Sequence, residues 1–170
     1  MSDLEQVPRK STELDVFVGE WHATGMSYGG ADQSEAEPRA NGVPWVSEHS
    51  AYWYTGEFFL VQDERARPGG ATLDMLWILG WDARLNRLFA RTFENHGYYR
   101  DYDVQHQGDT WVIAGATERA TIEFRNGNRE QVIAWEWKPN GTWLPLCDRI
   151  AIRVDDAPGQ TAVGPGARRR

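Results

Sequence analysis

The sequence predicts an all-β protein: a closed antiparallel up-and-down barrel of about ten strands, preceded by a short N-terminal helix or extension. Three observations carry this. Short segments rich in β-branched and aromatic residues recur from Val16 onward, Gly, Asn, Asp and Pro punctuate them at hairpin spacing, and no amphipathic helix interrupts them. A meander of that length exposes two edge strands unless it closes, and closure removes the edges. About eight strands leave an interior just wide enough for side chains or one small ligand, and more strands leave more room. The nine Trp and six Phe can fill that extra volume, so an open and a filled interior are both compatible with the sequence.

Taken in order, the first residues are polar and mixed, and Thr12-Glu13-Leu14 suits a short helix leading into the first strand. Strands are expected near 16–28, 43–54, 57–64, 71–81, 85–94, 98–106, 110–116, 118–125, 130–138 and 143–154. Between them lie Gly29-Gly30 with a long polar stretch to Gly42, then Thr55-Gly56, Pro68-Gly69-Gly70, Asp82-Ala83-Arg84, His96-Gly97, Gly108-Asp109, Asn126-Gly127 and Asn140-Gly141. Asn-Gly and His-Gly pairs favour tight hairpins because they supply the positive φ that primed turns require. The barrel domain is expected over 14–155, after an extension of residues 1–13. Residues 156–170, rich in Gly and Pro and ending in Arg168-Arg169-Arg170, read as a disordered tail.

A chain of 170 residues fits one domain. Its 41% hydrophobic fraction supports a sizeable core, and each buried ring removes roughly 150–250 Å² from water. The net charge of −7 and pI near 5.1 oppose a nucleic-acid backbone or an anionic membrane as partner. A lone cysteine, Cys147, forms no internal disulfide. The acidic start, Met1-Ser2-Asp3-Leu4-Glu5, has no apolar run behind it, so neither a secretory signal nor a transmembrane helix is expected and the cytoplasm is the default compartment.

At Phe17-Val18-Gly19-Glu20-Trp21-His22-Ala23-Thr24-Gly25 the chain resembles the Gly-x-Trp strand that opens lipocalins, fatty-acid-binding proteins and their relatives. Gly56-Glu57-Phe58-Phe59-Leu60, Leu79-Gly80-Trp81-Asp82, Thr92-Phe93-Glu94-Asn95-His96-Gly97 and Trp135-Glu136-Trp137-Lys138-Pro139-Asn140-Gly141-Thr142-Trp143 continue the pattern. In that order they resemble a bacterial lipocalin-like (calycin) family of domains of unknown function, over roughly residues 14 to 154. In lipocalins the tryptophan packs against an arginine of the last strand, so the resemblance implies that Arg149 or Arg153 stacks on Trp21. Nitrobindin, a haem-binding barrel, is also similar at the Gly-x-Trp strand, but its axial histidine lies near the C-terminus. Here the last histidine is His106, so the resemblance implies no haem, and no cofactor is expected.

His22, His49, His96 and His106 lack the close spacings of metal ligands, and no metal is expected. His96, beside Gly97, reads as a turn residue. In the strand from Trp45 to Trp53, period two places Trp45, Ser47, His49, Ala51 and Trp53 on one face. If that face is interior, His49 sits between two indoles, its neutral form favoured, as a hydrogen-bond partner or proton acceptor. The opposite face, with Val46, Tyr52 and Tyr54, is the equal alternative.

Arg91 lies between Phe89 and Phe93, and Arg100 between Tyr98 and Tyr102, on faces expected to meet across the hairpin near His96. An arginine inside a barrel needs a carboxylate or an anionic ligand. The alternative is an outward arginine paired with Asp101, Asp103 or Glu94. The strand at 71–81 carries Leu73, Met75, Trp77, Leu79 and Trp81 on one face, and Leu76 and Ile78 on the other. Apolar residues on both faces suggest an outer side covered by the N-terminal segment or by a second subunit.

No glycine-rich phosphate loop, Gly-x-Ser-x-Gly elbow or paired-carboxylate motif is present. The expected function is binding of a small apolar or amphipathic molecule, with an acid or carbonyl group, by His49, Trp53, Trp77, Arg91, Arg100 and Tyr102. Two alternatives stand beside it. One is a cofactor-independent isomerase, cyclase or lyase in which His49 or Tyr102 acts as acid or base. The other is a filled barrel that mediates self-association or a protein contact.

Overall fold

The computed structural model describes residues 9–154, so the expected tail and the first eight residues lie outside the described residues. Ten antiparallel strands close into one barrel: β1 (Gly19–Ser27), β2 (Val43–Tyr54), β3 (Phe59–Ala66), β4 (Leu73–Asp82), β5 (Arg87–Glu94), β6 (Tyr99–Gln107), β7 (Thr110–Ala114), β8 (Glu118–Arg125), β9 (Glu130–Trp137) and β10 (Leu144–Arg153). Each strand pairs with its sequence neighbour, and β1 pairs with β10 to seal the sheet. Closure leaves no unpaired edge to manage, as the meander required.

Alternation decides which residues fill the interior. Trp21 and Ala23 of β1, Trp45, Ser47, His49 and Ala51 of β2, and Leu60, Glu64 and Ala66 of β3 are buried, with exposed or half-buried neighbours between them. The hairpins form where the sequence supplies positive φ: Gly97 at 85°, Gly108 at 58°, and Asn126, Gly127 and Asn128 at 53°, 63° and 62°. The β4–β5 turn runs four residues, Ala83 to Asn86, with the Asp82 carboxylate accepting from the Arg84 and Leu85 amides.

One end of the barrel is plugged. The short helix expected at Thr12 is a 3₁₀ segment, Thr12–Phe17, whose Leu14 and Phe17 are buried. Phe17 packs edge-on against Trp111 and Phe124, each at 5.0 Å between ring centres. Trp21 donates its indole N–H to the Phe17 carbonyl at 2.9 Å, and Trp53 donates to Asp15 Oδ1 at 2.7 Å, so β1 and β2 both anchor the plug. Arg153 lies over the Trp21 ring at 4.3 Å and donates to the carbonyls of Val16, Val18 and Asn128.

This contact explains the glycine of Gly-x-Trp. Gly19 has φ +122°, and a Cβ there would meet Arg153 Nη1 at 2.5 Å. Gly19→Ala combines left-handed backbone strain with displacement of the guanidinium, and is expected to cost about 2 kcal/mol in urea denaturation. A cost near zero would show that the Arg153 seat is not a constraint.

The outer side of β4 is not covered by the plug. Leu76 and, beside it on β5, Phe93 are each 40% exposed, and the paired Tyr99 is 66% exposed. No helix among the described residues is long and apolar enough to cross a membrane.

Candidate functional site

The interior is divided. Near the plug is a small void of about 30 Å³, lined by His49, Gln62, Glu64, Gln131 and apolar residues including Phe17 and Leu79. Toward the other end, which no helix among the described residues plugs, lies a larger cavity of about 220 Å³, walled by Trp45, Trp77, Tyr102, Trp135, Leu73, Met75 and Leu146. Trp77, Trp135 and Arg149 line both spaces and so form the partition between them. Trp77, Tyr102 and Trp135 pack on one another with ring centres 5.7–5.8 Å apart, which fixes the wall. A wider depression of about 500 Å³ lies on the outside of the barrel, where Glu20, His22, Glu48, Asp63 and Arg65 are exposed.

The partition rests on a buried ion pair. Arg149 Nη1 donates to Glu64 Oε1 at 2.6 Å, with the two side chains 6% and 2% exposed. Gly25 lies between Arg149 and Trp45 in the sheet register, so no side chain separates them, and the guanidinium stacks over the Trp45 ring at 4.6 Å. Burial pushes the Glu64 carboxyl up, but Arg149, His49 and a hydrogen bond from Ser47 hold it below its ordinary value. For Arg149, burial is the largest influence and disfavours the charge, but Glu64 and Cys147 together more than offset it. The free thiol of Cys147, on the same cavity wall, is pushed up to about 11 by burial, against the opposing pull of Arg149. A neutral, enclosed thiol of this kind is a poor nucleophile.

His49 faces inward, stacked on Trp21 at 6.0 Å, and its Nδ1 has no hydrogen-bond partner. Burial lowers its pKa to about 4, Glu64 opposes this, and Arg149 adds to it. An unfolded histidine takes a proton near pH 6.5. Between pH 6.5 and 4 the unfolded chain therefore binds more protons than the folded one, and stability falls as pH falls, by about 3 kcal/mol across the window. Glu64, with its depressed pKa, extends the loss below the ordinary carboxylate range. In His49→Asn the first part of this slope disappears and the decline begins only in the carboxylate range. Urea midpoints taken from pH 7 to pH 4.5 test it, and identical slopes in both proteins would contradict it.

The residues expected to form a site divide three ways. Trp77 and Tyr102 line the larger cavity. His49 lines the small void, and Trp53 shares its strand face but sits at the plug, bonded to Asp15. Arg91 and Arg100 do not share a face: Arg91 pairs across the strands with Asp101, and Arg100 with Thr92. Arg91 is on the outside, its guanidinium bonded to both Asp101 oxygens at 2.5 and 3.1 Å. The period-two argument placed each arginine among aromatics correctly, but Phe89 and Phe93 form an outer aromatic face. Arg100 sits at the lip of the open end, bonded to Glu94 and 3.4 Å from Glu118 Oε1. His49, Arg91 and Arg100 therefore do not converge on one point.

Several cavity residues escaped the sequence. Glu64, Thr92, Gln131 and Arg149 are all buried and polar, and apart from Arg149 none was singled out. The available signal was Glu64 on a strand face shared with Leu60 and Ala66, where a charge has no reason to be unless it has a buried partner. Among buried side-chain atoms without a hydrogen-bond partner are Thr92 Oγ1 on the larger cavity, His49 Nδ1 and Gln131 Nε2 on the small void, and Trp77 Nε1 and Arg149 Nε in the partition that lines both. Among the described residues no three His, Cys, Asp or Glu side chains gather as a metal-binding group. His22 and His96 are exposed, and His106 stacks on Trp111 at 4.3 Å near the plug.

No protein-family model matches the chain. No curated protein matches it either. Among solved structures it is similar to the crystal structure of Rv2717c from M. tuberculosis, with a TM-score of 0.58 and 12% sequence identity, over 85% of this chain and 96% of that one. At that identity the likeness concerns the fold.

Proposed function

We propose that the protein is a calycin-like container that binds a small, largely apolar molecule bearing a hydrogen-bond acceptor in the cavity at the unplugged end. The observation that carries this is the coincidence of aromatic walls with unpartnered buried polar groups: Thr92 Oγ1 on that cavity, and Trp77 Nε1 and Arg149 Nε in the partition that closes it. A buried polar group left unpaired costs about 1–3 kcal/mol, which a carbonyl, ether or hydroxyl of a ligand offsets. The volume of about 220 Å³ falls below the range that holds drug-sized molecules, so the ligand is small. The Arg153 stack on Trp21 and the β1–β10 seal support the lipocalin-like reading.

Binding is favoured over acid–base catalysis on geometric grounds. A proton-transfer site needs its acid and base within reach of one reacting atom. His49 and Tyr102 line different spaces, and the Tyr102 hydroxyl is committed to Glu118 Oε2 at 3.0 Å. Native mass spectrometry of gently purified protein tests the proposal, with a bound small molecule retained as the expected result. A chain that emerges only at its own mass, and binds no member of a panel of small aryl alcohols, ketones, acids and amines, contradicts it.

A further inference from the structure

We infer that the mouth of this cavity is built for an ammonium group, so that the ligand is an amphipathic amine with its cationic end outermost. The inference rests on the binding proposal above and adds the ligand's charge. Two carboxylates, Glu94 and Glu118, line the cavity and are only 14% and 18% exposed. One guanidinium, Arg100, contacts both of them, but it lies at the lip over the Tyr98 ring and does not line the cavity. Two negative charges against one positive leave the mouth with a net negative charge. Among the described residues the one other ionised group on the wall, Arg149, is neutralised by Glu64 at 2.6 Å.

The aromatic lining acts in the same direction. Trp77, Tyr102 and Trp135 surround the space with ring electron density, which favours a cation and not an anion. Independent of the charges, Thr92 Oγ1 is buried on the same wall without a hydrogen-bond partner, and a hydroxyl oxygen can accept from an ammonium, whereas the Trp77 indole N–H is a donor that is left for an acceptor on the body of the ligand. The expected carboxylate ligand has no free arginine to meet it: Arg91 is outside, bonded to Asp101, and Arg100 is already shared between two glutamates. The overall charge of −7 also draws cations toward the protein.

Calorimetric titration of the full chain with 2-phenylethylamine, 2-phenylethanol and 3-phenylpropanoate at neutral pH tests this, because the three differ chiefly in the charge of one terminal group. The amine is expected to bind about tenfold tighter than the alcohol, with the acid weakest. That advantage shrinks as salt is raised. Glu118→Gln or Glu94→Gln reduces it and Arg100→Gln increases it, an opposite pair of effects that general loosening of the fold cannot produce. Glu123→Gln removes the same charge from an exposed outer position paired with Arg125, and leaves the advantage intact. Equal binding of amine and alcohol, or tightest binding of the acid, overturns the inference while the cavity proposal stands. Failure of all three probes to bind overturns the inference, and overturns the cavity proposal as well when native mass spectrometry shows no retained molecule and the rest of the panel fails to bind.

Discussion

Replacing Glu64 with alanine is expected to lower the unfolding free energy by about 3–5 kcal/mol, because it leaves the buried Arg149 charge without its carboxylate. A guanidinium does not shed its proton to escape burial. Here its Nε has no partner, and its other neighbours, the face of Trp45 at 4.6 Å and the Cys147 thiol, carry no compensating charge. That loss is a large share of a typical domain's stability of roughly 5–15 kcal/mol. The double variant Glu64→Leu with Arg149→Met replaces both charges by apolar groups of similar length and recovers most of it. Urea denaturation at pH 7 measures all three proteins. A cost below about 1 kcal/mol for the alanine variant would mean that the pair is solvated and the partition is not a dry wall.

The second large effect is Trp21→Ala, also about 3–5 kcal/mol. Trp21 is 1% exposed and holds four things together: the Phe17 carbonyl through its N–H, the Arg153 guanidinium on its face, His49 in a stack and Phe124 edge-on. Its removal opens a cavity and frees the plug, so hydrogen exchange at Thr12–Phe17 is expected to accelerate more than exchange in β5 and β6. Trp21→Phe keeps the ring and loses the N–H, and costs less, about 1–2 kcal/mol. Equal exchange rates across the plug and the distant strands would contradict the role assigned to Trp21.

The strands were legible because burial on one face writes itself as period-two alternation, and because turns that need positive φ draw Gly and Asn. Hairpins at Gly97, Gly108 and Asn126-Gly127 follow directly from that chemistry. The face assignment was harder. Around His49, Trp45 and Trp53 compete with Val46, Tyr52 and Tyr54, and both faces are apolar. The ambiguity was resolved only by the ring of neighbours: Trp21, His49 and Glu64 pair across β1, β2 and β3. At Arg91 an outer aromatic face imitated an inner one, since Phe93 is 40% exposed and Phe59 packs on Phe89 outside Gly80. The Glu64–Arg149 pair was not legible, because its partners are 85 residues apart and only the closed register brings them together. The Arg149-or-Arg153 alternative resolves for the same reason: Arg153 pairs with Trp21, while Arg149 faces Trp45 across Gly25.

The most direct test of the central claim, a ligand cavity confined to the unplugged end, is fluorine NMR of protein labelled with 5-fluorotryptophan. Its nine indoles can be assigned by single Trp→Phe substitutions and followed as 2-phenylethylamine is added. The resonances of Trp45, Trp77 and Trp135, which line the cavity, are expected to shift together and saturate, while those of Trp21 and Trp111 behind the partition stay in place. Shifts confined to Trp21 and Trp111, or no shift of the three cavity indoles with any aryl probe, would contradict the account.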